Sequence, residues 1–193
     1  MSLVAGHVDR LRDGLGGDAC VQEKAVRALA NLSALRSNRT DIVKAGGTAL
    51  LVASLDNGTS DAKTYAMVAL GRIATSSVSN QERGGERDFS RELIAAGGIS
   101  TLVELARSGT DWDKKQSLII FCHLTSRLLG RWALREDTSL REAIVAAGGI
   151  PVIAELALAG SDEIEPYATC MLDRLSKLNT CAKDQVAALR EYN

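Results

Sequence analysis

Two histidines and four cysteines are the residues in this 193-residue chain whose types most readily do chemistry. His123 directly follows Cys122, and a nucleophilic centre would need that thiol and imidazole to meet, with a third group orienting the base. On a helix, consecutive side chains point about 100° apart, so the two do not face each other. His7 is the other histidine and lies in the end segment. Cys20, Cys122, Cys170 and Cys181 contain no C-x-x-C pair. Three of them sit in apolar helical patterns, as small reduced core residues do, rather than in a disulfide framework or zinc site. The expectation is a chain with no catalytic centre, no metal and no cofactor, and so not an enzyme.

Other motifs are equally bland as chemistry. "QERGGERD" at 81–88 mixes both charge signs with a glycine pair and reads as a solvated loop. A phosphate cradle would need a strand before it, and no strand pattern occurs. Arg27, Arg36 and Arg39 form a local basic cluster, but no aromatic stacking ladder accompanies them, which argues against nucleic acid as the partner. The formal net charge of −1 supplies no global field for nucleic acid or an anionic membrane.

The elements that position these residues come from a repeat. "VKAGGT" at 43–48, "IAAGGI" at 94–99 and "VAAGGI" at 145–150 place Ile42, Leu93 and Ile144 in one register with a step of 51 residues. The same step superposes Gly58, Gly109 and Gly160, then Ala66, Ser117 and Ala168, then Leu70, Phe121 and Leu172. Each unit reads as three helices. A short first helix stops at the glycine pair, whose first member can take the left-handed cap conformation. A second helix follows, with Pro151 in its first turn in the last unit, and then a third whose Ala, Leu and Ile recur at three- and four-residue spacing.

Residues 24–35 match a third helix with Leu29 in the place of Leu70, and residues 3–15 supply a second helix before it. "DQVAALREYN" at the far end matches a first helix. The predicted organisation is a single domain over 1–193, with a partial unit at 1–37, full units at 38–83, 84–137 and 138–178, and a partial or capping helix at 179–193.

"AGGIP" at 147–151, the gap-free helix triplet and "LANLS" at 29–33 resemble armadillo repeats over nearly the whole chain. The resemblance implies an all-α, right-handed superhelical solenoid of three-helix repeats; two-helix HEAT repeats are the alternative, against which the short helix before each glycine pair speaks. It further implies a concave surface lined by third helices, with an Asn on each that clamps a bound peptide. Asn31 matches that position, and the following units carry Arg72, His123 and Arg174. Four residues earlier a peptide-binding groove of the importin type would carry Trp; here stand Arg27, Val68, Ile119 and Cys170. The resemblance therefore implies a protein-protein interaction module or scaffold for an acidic or phosphorylated segment, with Arg27, Asn31, Arg72, Ile119, His123 and Arg174 in the binding groove.

The steps of 51 exceed the usual armadillo length, and the excess falls after the third helix. "TSSVSNQERGGERDFS" at 75–90 reads as a flexible loop. "TSRLLGRWALREDTS" at 125–139 is apolar and reads as a longer third helix. Leu128, Leu129 and Trp132 within it could anchor a partner, which supports the alternative of an architectural subunit held in a large multiprotein assembly through its neighbours. Trp112, in a turn, is a candidate rim contact. The N-terminal residues lack a long apolar segment and no apolar run reaches spanning length. The default location is a reducing, aqueous intracellular compartment, cytoplasmic unless an organelle imports it.

Overall fold

The computed structural model describes residues 3–14, 18–79, 85–125 and 138–178, and among them every regular element is an α-helix. In chain order these are α1 (Leu3–Gly14), α2 (Ala19–Leu32), α3 (Arg36–Lys44), α4 (Gly47–Asn57), α5 (Ser60–Ser79), α6 (Gly85–Ala95), α7 (Gly98–Ser108), α8 (Asp111–Thr125), α9 (Thr138–Ala146), α10 (Gly149–Ala159) and α11 (Glu165–Leu178). After α1 and α2 the helices follow one another as triplets, α3–α5, α6–α8 and α9–α11. A two-helix repeat does not describe this order, because α3, α6 and α9 are helices of their own.

The chain packs as two compact units, Met1–Thr101 and Leu102–Asn193. In the first, third helix lies on third helix (α2 on α5) and first on first (α3 on α6). Its core is built from Leu29, Ile42, Leu51, Leu55, Met67, Leu70, Phe89 and Leu93, all buried. In the second, α11 packs on α8 and α10, around Leu118, Phe121, Ile144, Ile153, Met171 and Leu175. Each repeat thus buries its apolar stripe against its neighbour, which no single three-helix unit could do alone.

The glycine pairs serve two different needs. Gly46, Gly97 and Gly148 have φ of 78°, 75° and 70°, the left-handed conformation that an L side chain resists. Their successors are needed for close approach. A Cβ on Gly47 would stand 2.6 Å from Ile42 Cγ2, one on Gly98 2.5 Å from Leu93 Cδ1, and one on Gly149 2.8 Å from Ile144 Cγ2. The residue crowded is always the register residue of the preceding helix, which is why the three turns share one spelling. At the break between Ser139–Ala146 and Gly149–Ala159 the axis turns by 74°.

Two expectations are corrected. Residues 75–90 are not one loop: α5 continues to Ser79 and α6 begins at Gly85. Thr75 Oγ1 donates back to the Arg72 carbonyl at 2.7 Å and so stays satisfied inside the helix. Phe89 and Leu93, four residues apart on one face, draw the start of α6 into the core. The cysteines are not core residues either. Cys20 is exposed and Cys122 and Cys170 are half-buried, all three as free thiols, because the core is filled by their larger neighbours Phe121 and Met171. The Leu128, Leu129 and Trp132 segment, Cys181 and the helix expected at 179–193 lie outside the described residues. Among the described residues no single helix is long and apolar enough to cross a membrane.

Candidate partner-binding face of the third helices

Four third helices carry the ladder positions: α2 and α5 in the first unit, α8 and α11 in the second. Asn31 is exposed, and Arg72, His123 and Arg174 are half-buried. One turn earlier Arg27 is exposed while Val68, Ile119 and Cys170 are half-buried. None of the eight belongs to the core, although Leu29, Leu70, Phe121 and Leu172, two residues before each ladder position, are all buried. Each third helix therefore turns one face to its stack and leaves a second stripe, of polar ladder residues with Arg27, Val68, Ile119 and Cys170 one turn earlier, at least partly accessible.

The two ladder arginines also hold the helices together. Arg72 Nη1 on α5 donates to the Ala30 carbonyl on α2 at 2.7 Å. In the second unit Arg174 Nη1 on α11 donates to the Cys122 carbonyl on α8. Ala30 immediately precedes Asn31 and Cys122 immediately precedes His123, so one and the same bond recurs in register. Part of each guanidinium is thus structural, which the sequence did not suggest.

Arg39, expected only as part of a surface basic cluster, is buried at 8% exposure. From α3 it reaches the end of α2, where Nε donates to the Ser33 carbonyl at 2.7 Å, Nη2 to the Ala34 carbonyl at 3.4 Å and Nη1 to Thr75 Oγ1 at 3.2 Å. It caps carbonyls that have no partner within the helix. Burial, and then the nearby charges of Arg36 and Arg72, draw its pKa below the usual guanidinium value. Arg141 stands at the corresponding position of α9, and its buried Nε has no hydrogen-bond partner among the described residues. The sequence gives the register, since Arg39 and Arg141, like Arg72 and Arg174, are two steps of 51 residues apart, but not the carbonyl contacts.

Cys122 and His123 do not form a catalytic pair. Cys122 Sγ donates to the Tyr167 carbonyl at 3.6 Å. Burial first and the neighbouring Cys170 second push its thiol up to about 11, partly opposed by Arg174. Such a thiol is protonated and a poor nucleophile near neutrality. Burial, and then Arg174, hold the His123 imidazole below its ordinary value, so it stays neutral. Among the described residues no group of three or more His, Cys, Asp or Glu is placed to hold a metal ion.

No family model matches the sequence, and no curated protein matches it. Solved structures do match. A designed armadillo repeat protein in complex with the peptide (KR)4 superposes with a TM-score of 0.74 at 18% identity, over 97% of this chain and 70% of that one. Computationally designed armadillo repeat proteins for modular peptide recognition give 0.74 at 19% identity, over 96% and 70%. This chain has the armadillo repeat fold. A further engineered protein gives 0.75 at 25% identity over 98% of this chain, which spans 41% of that protein's length. Asn31, Arg72, His123 and Arg174 lie on α2, α5, α8 and α11.

Proposed function

We propose that the chain is a non-catalytic protein-binding module, whose third helices receive an extended segment of a partner protein. One observation supports this reading: all eight ladder and pre-ladder positions stay out of the core while Leu29, Leu70, Phe121 and Leu172, which lie between them, are buried. The armadillo neighbours support the same class of ligand, since one is in complex with a peptide and another was designed for peptide recognition.

The ligand's charge differs from that of the basic peptide (KR)4. Arg72 and Arg174 occupy two of the four rungs and repel a cationic segment. An acidic or phosphorylated one gains charge-assisted hydrogen bonds from the guanidinium N–H groups left over from the helix clamps. Arg27, Asn31, Ile119 and His123 supply the remaining polar and apolar contacts in this reading.

The test is site-specific photo-crosslinking in the native source, with the photoreactive residue placed at 31 or 119, or as a control at Glu104, which is exposed on α7. The reading predicts one stoichiometric partner captured from 31 and 119 and not from 104. Equal capture from all three positions would contradict it.

A further inference from the structure

We propose that Arg39 and Arg72 form an oxyanion seat at the C-terminal end of α2, for a phosphate or carboxylate carried by the partner. The argument starts from uncompensated charge. Among the described residues no carboxylate pairs with Arg39 or Arg72. Their hydrogen bonds go to neutral acceptors: the carbonyls of Ala30, Ser33 and Ala34, and the hydroxyl of Thr75. The two are linked through that hydroxyl, because Thr75 accepts from Arg39 and donates to the Arg72 carbonyl.

The negative end of α2 offsets only part of this charge. A helix C-terminus carries roughly half an elementary charge, against two full guanidinium charges. Like charges held together in a partly desolvated place are unfavourable until an anion joins them. Arg72 has the hydrogen bonds to offer: one of its five N–H donors is engaged by Ala30, and the rest of the fork can meet two oxygens at once. Arg39, fixed by its three bonds, acts as a positioning charge behind it.

The pair is written twice. Arg141 and Arg174 repeat Arg39 and Arg72 in register, Arg174 makes the same carbonyl bond as Arg72, and the buried Nε of Arg141 has no hydrogen-bond partner among the described residues. The middle repeat has Ser90 and His123 at these two positions. For its biological occupant the seat rests on the protein-binding reading; for its chemistry it does not.

The experiment is titration of the full chain with inorganic phosphate at constant ionic strength, read from the arginine side-chain N–H resonances and from calorimetry, with chloride as the control anion. The seat predicts saturable phosphate binding that moves the Arg72 and Arg39 signals. Arg72→Gln should weaken it about tenfold, as expected for losing a charge-assisted contact, while Arg107→Gln, at an exposed position on α7, leaves it unchanged. Because Arg72→Gln also removes the Ala30 clamp, Arg72→Lys is measured beside it; it keeps the charge but not the fork, and should bind with intermediate affinity. Phosphate that behaves as chloride does, or binds equally to all variants, overturns the proposal. A glutamate octapeptide that competes with phosphate gives the seat to carboxylates as well, and one that does not gives it to phosphate alone; either result follows only if the seat exists. Loss of partner crosslinking with phosphate binding intact would count against the protein-binding reading and not against the seat.

Discussion

Arg72 and Ala30 sit on successive third helices of the first unit, and Arg72 Nη1 donates to the Ala30 carbonyl at 2.7 Å. A side chain that faces the ligand stripe therefore also ties the stack together. The Ala30 carbonyl accepts Ser33 Oγ as well, at 2.7 Å, so removing the arginine does not leave it bare. Arg72→Met should cost about 1.5 kcal/mol, the lower end for a hydrogen bond from a charged donor, as measured by urea denaturation. A variant as stable as the parent would show that the clamp contributes nothing.

The two glycines of each turn should respond differently to alanine. Gly97→Ala meets no atom within 4 Å but forces a left-handed alanine at φ 75°, at about 1–2 kcal/mol. Gly98→Ala keeps an ordinary backbone yet drives its Cβ to 2.5 Å from Leu93 Cδ1 and 2.8 Å from Val52 Cγ2, an overpacking cost of about 1–3 kcal/mol. Gly97→Asn should recover part of the first loss, since Asn tolerates the left-handed region, whereas Gly98→Asn should be worse than Gly98→Ala. Denaturation midpoints of the four variants decide the matter, and rescue by Asn at both positions would refute the assignment.

His123 gives a pH dependence of known sign. Its folded-state pKa is depressed, by burial first and Arg174 second, so the unfolded chain takes up the proton first as pH falls. Stability is then lost as pH drops below about 6.5, the unperturbed imidazole value. His123→Gln should match the parent at pH 8 and lose less stability by pH 5.5. Parallel stability curves for the two proteins would exclude this histidine as a source.

The cysteines should alkylate in order of access and acidity. Exposed Cys20 should react with iodoacetamide well before half-buried Cys122, whose thiol is raised to about 11. Below that value the Cys122 rate should rise roughly tenfold per pH unit, since only the thiolate attacks. Peptide mapping by mass spectrometry follows each site, and fast modification of Cys122 at pH 7 would contradict the burial described.

The fold was legible because the repeat writes it three times. The glycine pairs, Ile42, Leu93 and Ile144 fix register, helix ends and core together, so each local cue agrees with the others. The lengths of α5 and α6 were not legible. Serine and threonine at 75–79 resemble a loop until a back-bonded hydroxyl and the burial of Phe89 extend both helices. The ladder could be placed by register, but its double role could not, since whether an arginine reaches a carbonyl on the next helix is a matter of tertiary distance. Arg39 was hidden for the same reason: a charged residue in a basic cluster gives no sign in sequence that it caps the preceding third helix.

The central claim, that the third-helix stripe binds a protein segment, is tested most directly by selecting from a random peptide display library on the full chain. Each enriched peptide is then measured against an Arg27→Glu, Asn31→Leu double variant shown by circular dichroism to be folded. Both positions are exposed, and neither makes a helix clamp. The account predicts enrichment of extended acidic or phosphomimetic sequences whose binding falls at least several-fold in the variant, at roughly 1 kcal/mol or more for the lost polar contacts. Peptides that bind the variant as tightly as the parent, or a library that yields no enriched sequence, would contradict it.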